Sequence, residues 1–233
     1  MNGTLFLVPS LLNYDLPEII PPFVSTAINQ ADNFIVEDEK SARHFLKIAG
    51  LKKSFQSLHF QTLNEHTVKE KISSLIIPLL DGKNIVLLSE AGCPAIADPG
   101  SEIVQLAHEK NIIVKPVGGA SSVFMALMAS GLNGQQFVFH GYLPKERGER
   151  IRKIKECEQD ALKKNYTQIF IEAPHRNNHL LEDLLNECQS ETLLCIASAL
   201  TSDKEFVKTK NISGWKKSIL DLHKTPTVFL LGK

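Results

Sequence analysis

The sequence of 233 residues predicts an α/β fold made of two small domains, and three observations carry that expectation. Short apolar runs rich in β-branched residues alternate with longer amphipathic ones, the order that gives parallel sheets covered by helices. A hydrophobic content of 43% is enough to fill proper cores. Midway, PVGGASSVFMALMASGLNG (116–134) joins a glycine-rich stretch to a small-residue helix with Gly at its exit, where one sheet hands over to the next. The boundary falls between Gly118 and Gly119, giving an amino-terminal domain over 1–118 and a carboxy-terminal domain over 119–233.

In chain order, the first half offers strands at 4–8 (TLFLV), 33–36 (NFIV), 85–88 (IVLL) and 112–117 (IIVKPV). Between them, amphipathic stretches predict helices at 17–30, 41–49, 68–80 and 101–110. The second half offers strands at 137–139, 168–171, 193–197 and 227–231, with an edge strand near Phe206. Helices are expected there at 121–130, 149–164, 176–188 and 215–222.

Composition excludes several classes of function. Lys+Arg and Asp+Glu both total 26, so the formal net charge is zero and any binding to nucleic acid must use a local patch. Cys93, Cys157, Cys188 and Cys195 form no C-x-x-C pair and have no His at zinc-finger spacing, so no metal site and no disulfide framework is expected. The first residues, MNGTLFLVPSLLNYD, lack a basic leader and are interrupted by Pro9. No segment approaches the roughly 18 apolar residues of a membrane span. A soluble cytoplasmic protein without a membrane partner is the expectation.

The common nucleotide and hydrolase signatures are missing. No G-x-G-x-x-G follows the first strand, and neither G-x-x-x-x-G-K-[ST], H-E-x-x-H nor G-x-S-x-G occurs. Attention moves to loops at the carboxyl ends of strands, where open α/β sheets bind ligands. In SEAGCPAIADPG (89–100), Glu90 is an acceptor, Ala91 and Gly92 leave room for close approach, and Asp98 with Pro99 starts the next helix; a plain turn with a cap accounts for the same residues. In VGGASSVFMAL (117–127), Ser121 or Ser122 caps a helix whose free N–H groups suit a carboxylate, and an ordinary capped helix fits equally. In IFIEAPHRNNHLLEDLL (169–185), Glu172, His175 and Arg176 crowd a strand-to-helix turn, which favours function over mere solvation. Glu37 and Asp38, after the second strand, read first as acids complementing a helix dipole. The segment 144–164, with eight basic and five acidic residues, reads as a solvated helix with internal ion pairs, an RNA-backbone patch being the alternative.

Taken together, these loops resemble those of the tetrapyrrole-methylase-like (class III) S-adenosylmethionine-dependent methyltransferases. Within that superfamily the chain is most similar to the small-subunit rRNA 2′-O-ribose (cytidine) methyltransferase branch. The resemblance rests on GTLFLVP (3–9), VED (36–38), LLSEAGCPAIADPG (87–100), GGASSVFMALMASGL (118–132), FVFHGYLPKE (137–146), FIEAPHR (170–176) and ALTSDKE (199–205). It departs where the branch has P-T-P-I-G-N, E-D-T-R and K-G-E: those places read PSLLNYD, VEDEKSAR and HKTPTVFLL.

The resemblance implies two α/β domains with S-adenosyl-L-methionine in the cleft between them, usually in a homodimer, and ribosomal RNA as partner. Carried over residue by residue, it implies cofactor contacts at Leu11, Leu12, Glu90, Ala91, Gly92, Ala95, Ser121, Ser122, Glu172, Ala199, Leu200, Pro226 and Thr227. Transfer to a ribose hydroxyl needs a general base, for which Glu37, Asp38, Glu172 and His175 are the candidates. Methylation of a tetrapyrrole or another small molecule, or cofactor binding without catalysis, are the competing readings.

Overall fold

A computed structural model describes residues 1–64, 67–218 and 220–233. The chain divides into two compact units, Met1–Ser121 and Ser122–Lys233.

The first unit runs β1 (Thr4–Val8), α1 (Pro22–Asn29), β2 (Asn33–Val36), α2 (Glu39–Ile48), β3 (His59–Thr62), α3 (Lys69–Leu75), α4 (Ile77–Leu80), β4 (Ile85–Leu88), α5 (Ser101–Glu109) and β5 (Ile113–Pro116). Its strands form one sheet in the order β3-β2-β4-β1-β5, with every pairing parallel. Side chains alternate across a strand, so the central strands fill two cores. Phe6, Val8, Phe34, Val36, Val86 and Leu88 pack with α1 and α2 residues such as Ile28 and Phe45. Leu5, Ile35, Ile85 and Leu87 pack with Ile72, Leu79 and Ile103 from α3, α4 and α5. A parallel sheet buried on both faces explains why these strands read as continuous apolar runs.

The second unit runs α6 (Ser122–Ser130), β6 (Phe137–Tyr142), α7 (Arg147–Lys164), β7 (Thr167–Ile171), α8 (Asn177–Glu187), β8 (Leu193–Ser198), β9 (Phe206–Asn211), α9 (Ile212–Trp215) and β10 (Thr227–Gly232). Its sheet, β6-β7-β10-β8-β9, is mixed. Only β6 and β7 pair in parallel, while β7–β10, β10–β8 and β8–β9 are antiparallel. This corrects the expectation of parallel sheets throughout. The link 199–205 is shorter than the dozen or so residues that a parallel crossover needs, so β8 turns back as a hairpin. Phe170, Ile196, Phe229 and Leu231 meet Ile154, Leu184 and Trp215 in the core of this unit.

Local chemistry accounts for further corrections. The helix expected at 17–30 is a 3₁₀ turn, Pro17–Ile19, followed by α1, because consecutive prolines at 21 and 22 cannot continue a helix from before. Pro78 likewise splits 68–80 into α3 and α4. β3 adds a strand to those expected: it is a short, partly polar edge strand, defined by its ladder to β2 rather than by its own residues. The helix expected at 215–222 is instead the turn α9, ending at Trp215; residue 219 lies outside the described residues. Among the described residues, no helix is long and apolar enough to cross a membrane.

Candidate active site

In the parallel sheet, the carboxyl ends of β1, β2, β4 and β5 lie at one edge, and the loops leaving β1, β4 and β5 are tied to each other. Ser10 N donates to Gly92 O at 2.9 Å and Gly92 N to Ser10 O at 3.2 Å, a bridge between the β1 and β4 loops. Buried Ser10 and Ser89 reinforce it, Ser10 Oγ donating to Ser89 O at 2.6 Å and Ser89 Oγ to Gly92 O at 3.0 Å. Gly92 has φ +78°, and a Cβ there would lie 3.3 Å from Leu12 Cδ2. Gly119 brings the β5 loop against Pro9, where a Cβ would fall 2.6 Å from Pro9 Cβ. The Cys93 thiol donates to Ala120 O at 3.5 Å.

The structure thus gathers Leu11, Leu12, Glu90, Ala91, Gly92, Ala95 and Ser121 on neighbouring loops of the first unit. Leu11 is buried, whereas Glu90 and Ala91 are exposed. Ala95 and Ala97 both adopt left-handed backbone, φ 65° and 60°, which strains residues other than glycine and clusters at functional loops.

Acids collect at the ends of β2 and β4, which are adjacent strands. Half-buried Asp98 is pushed up to about 7, first by burial and then by the nearby charges of Glu37 and Glu90. From its place in the sequence Asp98 reads only as a helix start; the signal for more lies in three acids following neighbouring strands. Asp38 behaves differently: it is exposed, caps α2 by accepting from Ser41 N at 2.8 Å, and that backbone bond holds its carboxyl below the usual range.

In the second unit, the antiparallel ladders bring another set of loops to one sheet edge. Thr227 pairs with Ser198 and Val228 with Ile171, so Glu172, Ala199, Leu200, Pro226 and Thr227 are neighbours. Ala199 N donates to Pro226 O at 2.9 Å. Ala199 and Thr201 are left-handed, φ 50° and 63°. The Glu172 side chain is 1% exposed and accepts from Ala173 N at 2.7 Å and from the Arg176 guanidinium. His175, on the same turn, is exposed, and Ser122 is the first residue of α6.

The charged segment 144–164 is largely paired within itself and with α8. Arg150 and Arg147 both bind buried Asp183, Lys155 reaches Glu187 at 2.9 Å, and Lys164 reaches Asp160 at 2.9 Å.

The sequence pattern of the family described as Tetrapyrrole (Corrin/Porphyrin) Methylases matches residues 16–214. The chain belongs to this family, and it is an S-adenosylmethionine-dependent methyltransferase. Ribosomal RNA small subunit methyltransferase I of Haemophilus influenzae is 31% identical over 221 residues, covering 95% of this chain and 74% of its own. The protein of the same name from Halalkalibacterium halodurans is 34% identical over 184 residues, covering 79% of this chain and 60% of its own. The chain therefore spans 60–74% of the length of these relatives. The crystal structure of the methyltransferase CobJ superposes with a TM-score of 0.65 at 15% identity, covering 100% of this chain and 95% of that one. Uroporphyrin-III-C-methyltransferase from Thermus thermophilus gives 0.57 at 19% identity, with 100% and 93% covered. At such identities these two structures establish the fold alone.

Proposed function

We propose that this protein methylates ribosomal RNA, with a ribose 2′-hydroxyl as acceptor. The observation that carries the reading is 31–34% identity, over most of the chain, to relatives named Ribosomal RNA small subunit methyltransferase I. The strand-end loops around Gly92 and Ser121, the residues Ser122 and Glu172, and the paired segments at Ala199 with Leu200 and Pro226 with Thr227 are the cofactor contacts in this reading. Small residues and left-handed backbone at Ala95 and Ala199 support a ligand lying against main chain. The acids Glu37, Glu90 and Asp98 suit a ligand with positive sulfonium and ammonium groups.

The bound cofactor supplies an activated methyl group. The chain's own residues have to hold the acceptor oxygen in line at about 3 Å and take its proton. Among the candidates for that proton, Asp38 is engaged as a helix cap and Glu172 by Arg176, whereas the exposed His175 is open to an incoming acceptor.

The protein acts, in this reading, as a cytoplasmic homodimer of two-domain subunits. α6 carries no charge yet exposes Phe124 (55%) and Met128 (82%), as a helix covered by a second copy would. All four cysteines are free, which suits a reducing compartment.

The test is transfer of tritiated methyl groups from S-adenosylmethionine to small ribosomal subunits from cells lacking the gene. Label recovered in alkali-stable dinucleotides is the expected result. Label on a base would overturn the ribose assignment, and cofactor binding without RNA labelling would overturn the RNA reading.

A further inference from the structure

The segment before β10 ends in Pro226, one of the cofactor contacts proposed above, and leads directly into another, Thr227, yet no regular secondary structure fixes it over 220–226. Side chains from the start of α8 do so instead. Asn177, fully buried at the first position of α8, donates from Nδ2 to Thr225 O at 2.6 Å and to Leu222 O at 3.5 Å. Asn178 accepts from Leu222 N at 2.8 Å through Oδ1 and donates to Asp221 Oδ1 at 2.7 Å through Nδ2. Asp221 Oδ1 in turn accepts from His223 N at 2.9 Å. Lys224, in left-handed backbone at φ 56°, donates its N–H to Pro174 O at 3.0 Å. The next residue but one, Pro226, is held from the other side by Ala199 N.

We infer that Asn177 and Asn178 are positioning residues for cofactor binding, clamping 221–225 so that exposed Pro226 and buried Thr227 present their backbone in a fixed place. This rests on the cofactor assignment proposed above. The Oδ1 of Asn177 has no hydrogen-bond partner although it is buried. An apolar residue of the same size would avoid that penalty. The amide is therefore explained by what its donor reaches, which is the carbonyl one residue before Pro226.

The experiment is calorimetric titration of the full chain with S-adenosylmethionine and S-adenosylhomocysteine. Asn178 is exposed, so Asn178→Ala is expected to fold with a near-normal thermal midpoint and to bind either probe about tenfold more weakly. Asn177→Leu should do the same or worse. The double variant Asn178→Asp with Asp221→Asn exchanges amide and acid, keeping an acceptor for Leu222 N and a donor between the two side chains while His223 N loses its acceptor. It should recover part of the lost affinity, binding at least about threefold more tightly than Asn178→Ala. His179→Ala, next in sequence and exposed, is the control with unchanged affinity. Unaltered affinity in both Asn178→Ala and Asn177→Leu, or loss in Asn178→Ala that the exchange leaves unrepaired, would overturn the clamp. An unsubstituted protein that binds neither probe would overturn the cofactor assignment itself, and the clamp with it.

Discussion

Arg176 closes on the carboxylate of Glu172 four residues before it, and the Glu172 side chain it covers is 1% exposed. Removing one partner of a buried pair strands the other charge, which costs about 3–5 kcal/mol. Arg176→Ala is therefore expected to lower the urea midpoint sharply, and Glu172→Gln much less, because the neutral amide still accepts from Ala173 N. Equal midpoints for Arg176→Ala and the unaltered protein would mean that water already solvates this carboxylate.

Asp98 makes stability depend on pH. Its folded value, about 7, lies above the ordinary carboxyl value of about 3.9 in an unfolded chain. Between the two, the folded state keeps a proton that the unfolded state has released. The contribution is thus complete below about pH 4 and is lost as pH rises towards 7. Asp98→Asn should flatten that decline, read as urea midpoints at successive pH values; a slope identical in both proteins would assign the titration to another group.

Asp38 can be separated from the chemistry by a substitution that preserves the cap. Asn caps helices as well as Asp, whereas Ala loses about 1 kcal/mol. Asp38→Asn should keep both stability and methyl-transfer rate, and Asp38→Ala should lower the thermal midpoint while keeping the rate. A rate that collapses in Asp38→Asn would restore this carboxylate as the proton acceptor.

Gly119→Ala introduces a methyl group 2.6 Å from Pro9 Cβ, where a ring cannot rotate away. Overpacking of this kind costs about 1–3 kcal/mol. Because the β1 and β5 loops must then separate, weaker S-adenosylhomocysteine binding by calorimetry is expected beside the lower thermal midpoint. Unchanged affinity would detach this contact from the cofactor.

The fold was legible where a strand is buried on both faces. IVLL and NFIV read as strands because short runs rich in β-branched residues suit a sheet interior, and their observed bounds are those expected. β3 was not legible, since HFQT gains its extended form from β2 and from no property of its own. The direction of β8–β10 was hidden for a related reason: alternation of strands and helices sets neighbours in sequence, whereas antiparallel pairing here follows from one short link. At the candidate site, the residue types in SEAG and EAPHR could be read directly. The surroundings of each carboxylate could not, because Asp38 is set apart by Ser41 N, Asp98 by burial and two neighbouring acids, and Glu172 by its contact with Arg176.

The parallel sheet also governs when the first unit can begin to assemble. β1 leaves the ribosome first, yet Leu5 pairs with Ile85 and Thr4 with Ile113. At roughly 5–20 residues per second of synthesis, this apolar strand waits on the order of ten seconds for its neighbours. β8 and β9, by contrast, join Ser198 to Phe206 almost as soon as both emerge. The amino-terminal half of this chain is thus the part that a nascent-chain chaperone would have to shelter.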